Sequence, residues 1–267
     1  MTMQIEMESA KSQFRVTPLQ PFGVLARPVG AQRLDEIAPG ELDRLVREHH
    51  LVVIRGLHEI GAPEFEAYCR RIGELLDWPF GYVLDLKAAD DAANYLFTRD
   101  RVPFHWDGVF ARRDPHYLFF NCVQAPAEGG ESLFSDTVRV LKRASEADRN
   151  WLEQCVCRYR QARTAHYGGD VTTNLIRKHP FTGEQTIRYT EPVSGVGGNA
   201  PELVGADEEQ TQRLADYMAE HLYTPEVCLS HRWASGDFLI FDNHRLLHGR
   251  RAFGARSERH IRRVHIL

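Results

Sequence analysis

Apolar positions recur at helical spacing early in the chain and at strand-like spacing through most of the rest. Leu34, Ile37, Leu42, Leu45 and Val46 fall on one face of an amphipathic helix expected over residues 35–48. The β-branched run His50-Leu-Val-Val-Ile-Arg55, closed by Gly56, predicts a buried strand. A second helix is expected over residues 62–75, with Pro63 near its start and Phe65, Tyr68, Ile72 and Leu75 along it. From about Val102 the texture changes. Short apolar runs at 117–122, 132–134, 186–189, 238–241 and 262–267 alternate with Gly, Pro and Asp. That spacing is of a sandwich or jelly roll and not of a parallel α/β sheet. Helical insertions are expected near 138–155 and 208–222, the second with Leu214, Tyr217, Met218 and Leu222 on one face. Residues 163–180, with Gly168-Gly169, show little periodicity and read as a loop over a site. Residues 1–13 read as a flexible tail and 14–267 as one domain, mainly β with flanking helices.

Composition narrows the function. With 267 residues, 43% hydrophobic and 26% charged, the chain can bury an ordinary globular core. A formal net charge of -4 gives no electrostatic case for nucleic acid. No apolar run approaches a membrane span, and the polar start lacks the apolar stretch of a signal peptide, so a cytoplasmic protein is expected. The five cysteines (69, 122, 155, 157 and 228) are odd in number and lack a CxxC pair, which argues for buried reduced thiols. The expected partner is a small molecule, with a homo-oligomer left open.

The chemically informative segment is Pro103-Phe-His-Trp-Asp-Gly-Val109. On a strand, residues i and i+2 face the same way, so His105 and Asp107 would project together while Trp106 points away. An imidazole and a carboxylate are two-thirds of a facial triad, which leaves three adjacent metal positions open, as iron(II) oxygenases require. The motif alone is weak, because 13 histidines and 37 acidic residues in 267 positions give roughly 1.8 chance matches to H-x-[DE]. Near the C-terminus, residues 233–250 run turn, apolar strand and polar turn up to His248. Arg259 follows eleven residues later, within Arg259-His-Ile-Arg-Arg-Val264, and Gly129-Gly130-Glu131-Ser132 places a hydroxyl 27 residues after His105.

In that order and spacing the sequence resembles the TauD/TfdA family of 2-oxoglutarate-dependent dioxygenases. The family pattern is H-x-D, a hydroxyl residue after a Gly-Gly-acid step, a distal histidine, and an arginine some eleven residues on. The resemblance runs from the 50–56 strand through His179-Pro-Phe-Thr-Gly183 to the terminal arginines. It implies a double-stranded β-helix (jelly-roll, cupin-like) core. It also implies iron(II) held by the catalytic residues His105, Asp107 and His248, with 2-oxoglutarate and O2 as co-substrates. The keto acid would chelate the metal through its ketone and C1 carboxylate, with its far carboxylate on Arg259 and Ser132; a forked, permanently charged guanidinium suits that task. Succinate and CO2 would be released as a C–H bond of the substrate is oxidised. Retention of Asp107 argues against halogenation, which is expected to need a small residue there.

Arg263 lies four residues after Arg259. On a strand the two share a face, so it reads either as a co-substrate or substrate contact or as a surface ion pair. Tyr95, Phe97, Trp106, His166, Tyr167 and Arg188 are candidate substrate contacts, each weighed against simple packing or exposure. His244 reads as a solvated turn histidine, and Trp78, Trp151 and Trp233 as core. The segments near 80–101 and 163–180 are expected to form the pocket and lid. The Phe-His-Trp-Asp-Gly-Val-Phe string is most similar to the PvcB-like branch of secondary metabolism, whose members oxidise isonitrile or amino-acid derivatives. Hydroxylation or desaturation of a carboxylate-bearing, amino-acid-derived metabolite is therefore expected. The alternatives are a catabolic sulfonate or aryloxyacid hydroxylase, a zinc hydrolase on a cupin-like fold, and a non-catalytic cupin-like binding protein.

Overall fold

The computed structural model describes residues 12–79, 81–89, 95–164, 167–193, 201–255 and 257–267, with backbone alone at 162–164, 167 and 168. Most of the expected tail lies outside these residues. The strands are β1 (Phe14–Pro18), β2 (Val24–Pro28), β3 (Leu51–Ile54), β4 (Leu84–Lys87), β5 (Val102–His105), β6 (Tyr117–Gln124), β7 (Ser132–Asp136) and β8 (Val156–Thr164). They continue as β9 (Tyr167–Asn174), β10 (Ile176–Lys178), β11 (Gln185–Ile187), β12 (Glu202–Leu203), β13 (Cys228–His231), β14 (Phe238–Asp242), β15 (Leu246–Arg250) and β16 (His260–Ile266). The helices are α1 (Pro39–His49), α2 (Ala62–Ile72), α3 (Thr137–Arg143), α4 (Glu146–Gln154) and α5 (Glu208–Leu222).

A seven-stranded sheet, ordered β1-β2-β3-β14-β6-β16-β4, faces a four-stranded sheet ordered β13-β7-β15-β5. The apolar runs are continuous because both faces of the larger sheet are covered. Val52, Ile54, Phe119, Phe238 and Ile240 pack with Phe65 and Tyr68 of α2 and Leu42, Leu45 and Val46 of α1. Their neighbours Leu51, Val53, Leu118, Phe120, Leu239 and Phe241 point the other way, onto Phe134 and Leu246 of the smaller sheet. The period-2 alternation thus builds two core layers from one set of strands. A third layer, including Leu152, Tyr159, Leu214 and Met218, lies under α4, α5 and the β8–β9 hairpin.

Several boundaries differ from the sequence reading. The first helix splits into a 3-10 turn (Leu34–Glu36) and α1, because Pro39 holds Ala38 extended (φ -67, ψ 123). The second stops at Ile72, where Gly73 is extended, and Leu75 bridges to Ile266 instead. The insertion near 138–155 breaks into α3 and α4, because Ser145 leaves helical geometry and accepts from Asp148 N at 3.0 Å as an N-cap. The described part of the segment 163–180 is not a loop. It contains part of an antiparallel β8–β9 hairpin and then β10.

Asp136 ties the smaller sheet to α3. Its fully buried carboxylate caps Val138 and Arg139 N–H and meets Arg245 at 3.0 and 2.9 Å. Replacing Asp136 with Ala removes the cap and strips Arg245 of its best partner, leaving Glu184 at 2.8 Å. A loss of about 3 kcal/mol is expected. It would be read as a lower urea midpoint at unchanged slope; a loss below about 1 kcal/mol would show that the pair is not structural.

Candidate active site

Antiparallel pairing of β15 with β5 sets His248 directly opposite His105, their ring centroids 4.2 Å apart. Strand β5 ends at His105, so Asp107 is not placed by strand alternation as the sequence suggested. It sits in the following turn, where Gly108 takes φ 113. Asn243, in the β14–β15 turn, clamps it there. The Asn243 Nδ2 donates to the Asp107 and Pro115 carbonyls, both at 2.9 Å, and its Oδ1 accepts from Asp107 N at 3.2 Å. Asp107 Oδ1 lies 3.6 Å from His105 Nε2, and its Oδ2 lies 3.8 Å from His248 Nε2. One donor atom from each of the three residues lies within 4.8 Å of the others.

The protonation states suit a cation. His105 Nδ1 faces the Pro103 carbonyl at 2.9 Å, which places the proton there and turns the lone pair of Nε2 into the site. That Nε2 is buried without a hydrogen-bond partner. Burial lowers the pKa of His105, and burial together with the adjacent His105 drives that of His248 well below its usual value, so both rings are neutral. Burial alone would raise the Asp107 pKa, but Arg263 and His265 hold it well below the usual carboxylate range. Arg263 Nη1 and His265 Nε2 both reach Asp107 Oδ2, at 2.7 and 2.9 Å. Arg263 is therefore an inward-facing residue and not a surface one. His265, and Trp78 bonded behind it at 3.1 Å, were not singled out for the site in the sequence.

Beside the triad is a pocket of about 420 Å³ bounded by His105, His248, Phe120, Ser132, Arg250 and Arg259, among others. Arg259 is buried, donates to the Gly130 carbonyl at 3.2 Å and faces Ser132 Oγ at 3.5 Å. Trp233 donates to that same Oγ at 3.1 Å, and no acceptor for the serine hydroxyl proton stands among the described residues. No carboxylate among the described residues pairs with Arg259. Burial, and then Arg250, lowers its pKa to about 9. Gly130 (φ 69) is needed here, since a Cβ would stand 3.2 Å from Arg259 Cδ.

A second cleft of about 630 Å³ adjoins Asp107 and shares Leu96, His105 and Arg263 with the first, with Trp78, Tyr95, Trp106, Phe110, Gln161 and Thr190 in its walls. Of the candidate substrate contacts, Tyr95 and Trp106 line this cleft; Phe97 is half-buried in a 3-10 turn (Tyr95–Phe97) and is not in its wall. His166 lies outside the described residues, as do the side chain of Tyr167 and residues 80 and 90–94 of the expected lid. Arg188 is buried beneath the cleft. It stacks on Trp106 at 4.6 Å, donates to the Asn243 carbonyl at 2.7 Å and contacts His244. That contact also keeps His244 half-buried and not solvated.

His116, His179 and Asp242 form another close cluster of potential ligands. There, His179 Nδ1 accepts from Phe181 and Thr182 N–H at 3.2 Å, so its proton lies on Nε2, which donates to Asp242 at 2.8 Å. Both His179 nitrogens are thus engaged in hydrogen bonds that brace the turns around them.

The family model for "Taurine catabolism dioxygenase TauD, TfdA family" matches residues 15–265. The chain is 43% identical to 3-((Z)-2-isocyanoethenyl)-1H-indole synthase of Fischerella ambigua, over 96% of both chains. It is 34% identical to tyrosine isonitrile desaturase of Pseudomonas aeruginosa, over 92% of this chain and 87% of that one. A solved structure of PvcB, described as an Fe, alpha-ketoglutarate dependent oxygenase from an isonitrile synthetic pathway, superposes with TM-score 0.81 at 32% identity, covering 96% of this chain and 93% of that one. The chain belongs to the TauD/TfdA family. It is an iron(II)- and 2-oxoglutarate-dependent oxygenase. The zinc-hydrolase and binding-protein alternatives fall away.

Proposed function

We propose that the enzyme desaturates the isonitrile derivative of an aromatic amino acid, with iron held by His105, Asp107 and His248 and the far carboxylate of 2-oxoglutarate held by Arg259 and Ser132. One observation carries the reading: an aromatic-walled cleft lined by His105 and Asp107 and a carboxylate-free arginine pocket lined by His105 and His248 meet at the same cluster of donors, sharing Leu96, His105 and Arg263. The orphaned Nε2 of His105 and the acceptor-only carboxylate of Asp107 suit a borderline divalent ion. The two facing sheets are read as the halves of a jelly roll, with residues 14–267 as one domain of a cytoplasmic enzyme.

When bound, iron and 2-oxoglutarate supply the oxidising power for C–H cleavage; the protein positions and shields. Overall, the substrate loses two hydrogens from adjacent carbons, O2 ends in water and succinate, and 2-oxoglutarate is oxidised to succinate and CO2. Trp78, Tyr95, Trp106 and Phe110 offer flat apolar surface for an indole or phenol ring. Arg263, in the same wall, places positive charge where a substrate carboxylate would lie. The isonitrile names of the 43% and 34% identical relatives support this substrate class. Arg188 is read as the support beneath Trp106.

Anaerobic addition of iron(II) and 2-oxoglutarate is expected to give a weak visible charge-transfer band. Admission of air with tryptophan or tyrosine isonitrile should then yield stoichiometric succinate and either a product two mass units lighter (the loss of two hydrogens) or one lighter by CO2 and two hydrogens, as the carboxyl-free isocyanoethenyl indole in the name of the 43% identical relative requires. A product sixteen units heavier would assign hydroxylation instead. Succinate release indifferent to either isonitrile would overturn the substrate class.

A further inference from the structure

We infer that Trp78 and His265 form a positioning device that holds Asp107 as a one-oxygen ligand, a role that rests on the assignment of Asp107 to the metal. The evidence is the direction of each hydrogen bond. The Trp78 indole can only donate, and it does so to His265 Nδ1 at 3.1 Å. His265 therefore carries its proton on Nε2, which donates to Asp107 Oδ2 at 2.9 Å. An imidazolium could not accept from the indole, so the ring is neutral. Arg263 Nη1 reaches the same oxygen at 2.7 Å.

Oδ2 is thus engaged by two donors from β16, while Oδ1 faces His105 Nε2 at 3.6 Å and takes no hydrogen bond from the described residues. A carboxylate anchored in this way presents one oxygen to the metal. It cannot rotate to give two without breaking the bond from His265. Bidentate binding would occupy one of the three positions that the co-substrate and dioxygen need. His265 is 2% exposed and also packs against Trp78, the rings tilted by 57° with centroids 5.5 Å apart, so the pair is rigid as well as directional. Arg263 alone supplies charge but not this direction. A guanidinium on a flexible stem can follow a rotating carboxylate, whereas a ring wedged against an indole cannot.

The test is anaerobic Co(II) titration of the metal-free protein, read by the ligand-field bands and the affinity, with folding checked by circular dichroism. His265→Leu is expected to bind Co(II) about 10–100-fold more weakly and with a shifted band, the usual cost of losing a ligand-orienting partner. His265→Gln, whose amide N–H can take the place of Nε2–H, should restore affinity to within about threefold. Trp78→Phe, which frees the choice of tautomer, should fall between. If His265→Leu does not fold, His265→Asn, whose amide falls short of Asp107, replaces it against His265→Gln. Wild-type affinity and bands in the leucine or asparagine variant, or a loss that glutamine does not rescue, would overturn the inference. Asp107→Ala is the control: wild-type Co(II) binding there would refute the ligand assignment itself, separately from the positioning role.

Discussion

Replacing Asp107 with alanine is expected to lower coupled product formation by at least about 10³-fold, about 4 kcal/mol of transition-state stabilisation. The change removes the only anionic member of the triad and leaves two neutral imidazoles facing the Arg263 guanidinium, which is 2% exposed. A divalent ion entering the site would then meet a buried positive charge with nothing to offset it. Shape alone does not explain the effect. Asp107→Asn keeps an oxygen of the same reach but turns either that oxygen or an N–H₂ group toward Arg263 and His265, and it should lose nearly as much. Succinate and desaturated product are measured together after anaerobic reconstitution, with urea unfolding to show that each variant is folded. Full coupled activity in Asp107→Ala would remove the residue from the catalytic centre.

The site was partly legible in the sequence, and the parts that were not share a physical reason. The apolar runs of β3, β6 and β14 announced strands buried on both faces, because alternation brings successive residues to two different cores. His105 and Asp107 were legible as a local pair. What holds them in place was not: Asp107 depends on Asn243, 136 residues away, and on His265, 158 residues away. The pairing of His248 with His105 is a register between distant strands that local spacing cannot state; only resemblance to a family supplied it. The β8–β9 hairpin was hidden because its outward positions are polar and answered across the ladder, as Arg158 is by Asp170. Those charges look like loop residues until the partner strand is known. Arg188 was left open in the sequence for the same reason. It was weighed as a substrate contact against packing, and the Asn243 carbonyl and the Trp106 ring hold it below the cleft.

Arg259→Leu is the variant whose two effects should have opposite signs. In the free protein Arg259 is a buried cation with a carbonyl, a hydroxyl and the neighbouring Arg250 around it, and with no carboxylate of the described residues as partner. Such a group is costly to bury. A leucine there would pack against Phe120, Ile261 and Leu86 in the same pocket. Loss of the hydrogen bond to Gly130 returns about 1 kcal/mol of that gain, so the balance favours a slightly higher unfolding temperature, by roughly 2–4 °C per kcal/mol for a chain of this size. Binding moves the other way. Removing one partner of a buried charge pair costs about 2–5 kcal/mol, so 2-oxoglutarate should bind on the order of 10²-fold more weakly or worse. With Mn(II) in place of iron, saturating 2-oxoglutarate at about 100 times its Kd should protect the wild type by about 2.7 kcal/mol. At the same concentration it should scarcely protect the leucine variant. Arg259→Lys keeps the charge but not the fork and should recover only part of the affinity. A leucine variant that is less stable without ligand yet still fully protected by 2-oxoglutarate would show that Arg259 braces the fold and that the keto acid is anchored elsewhere.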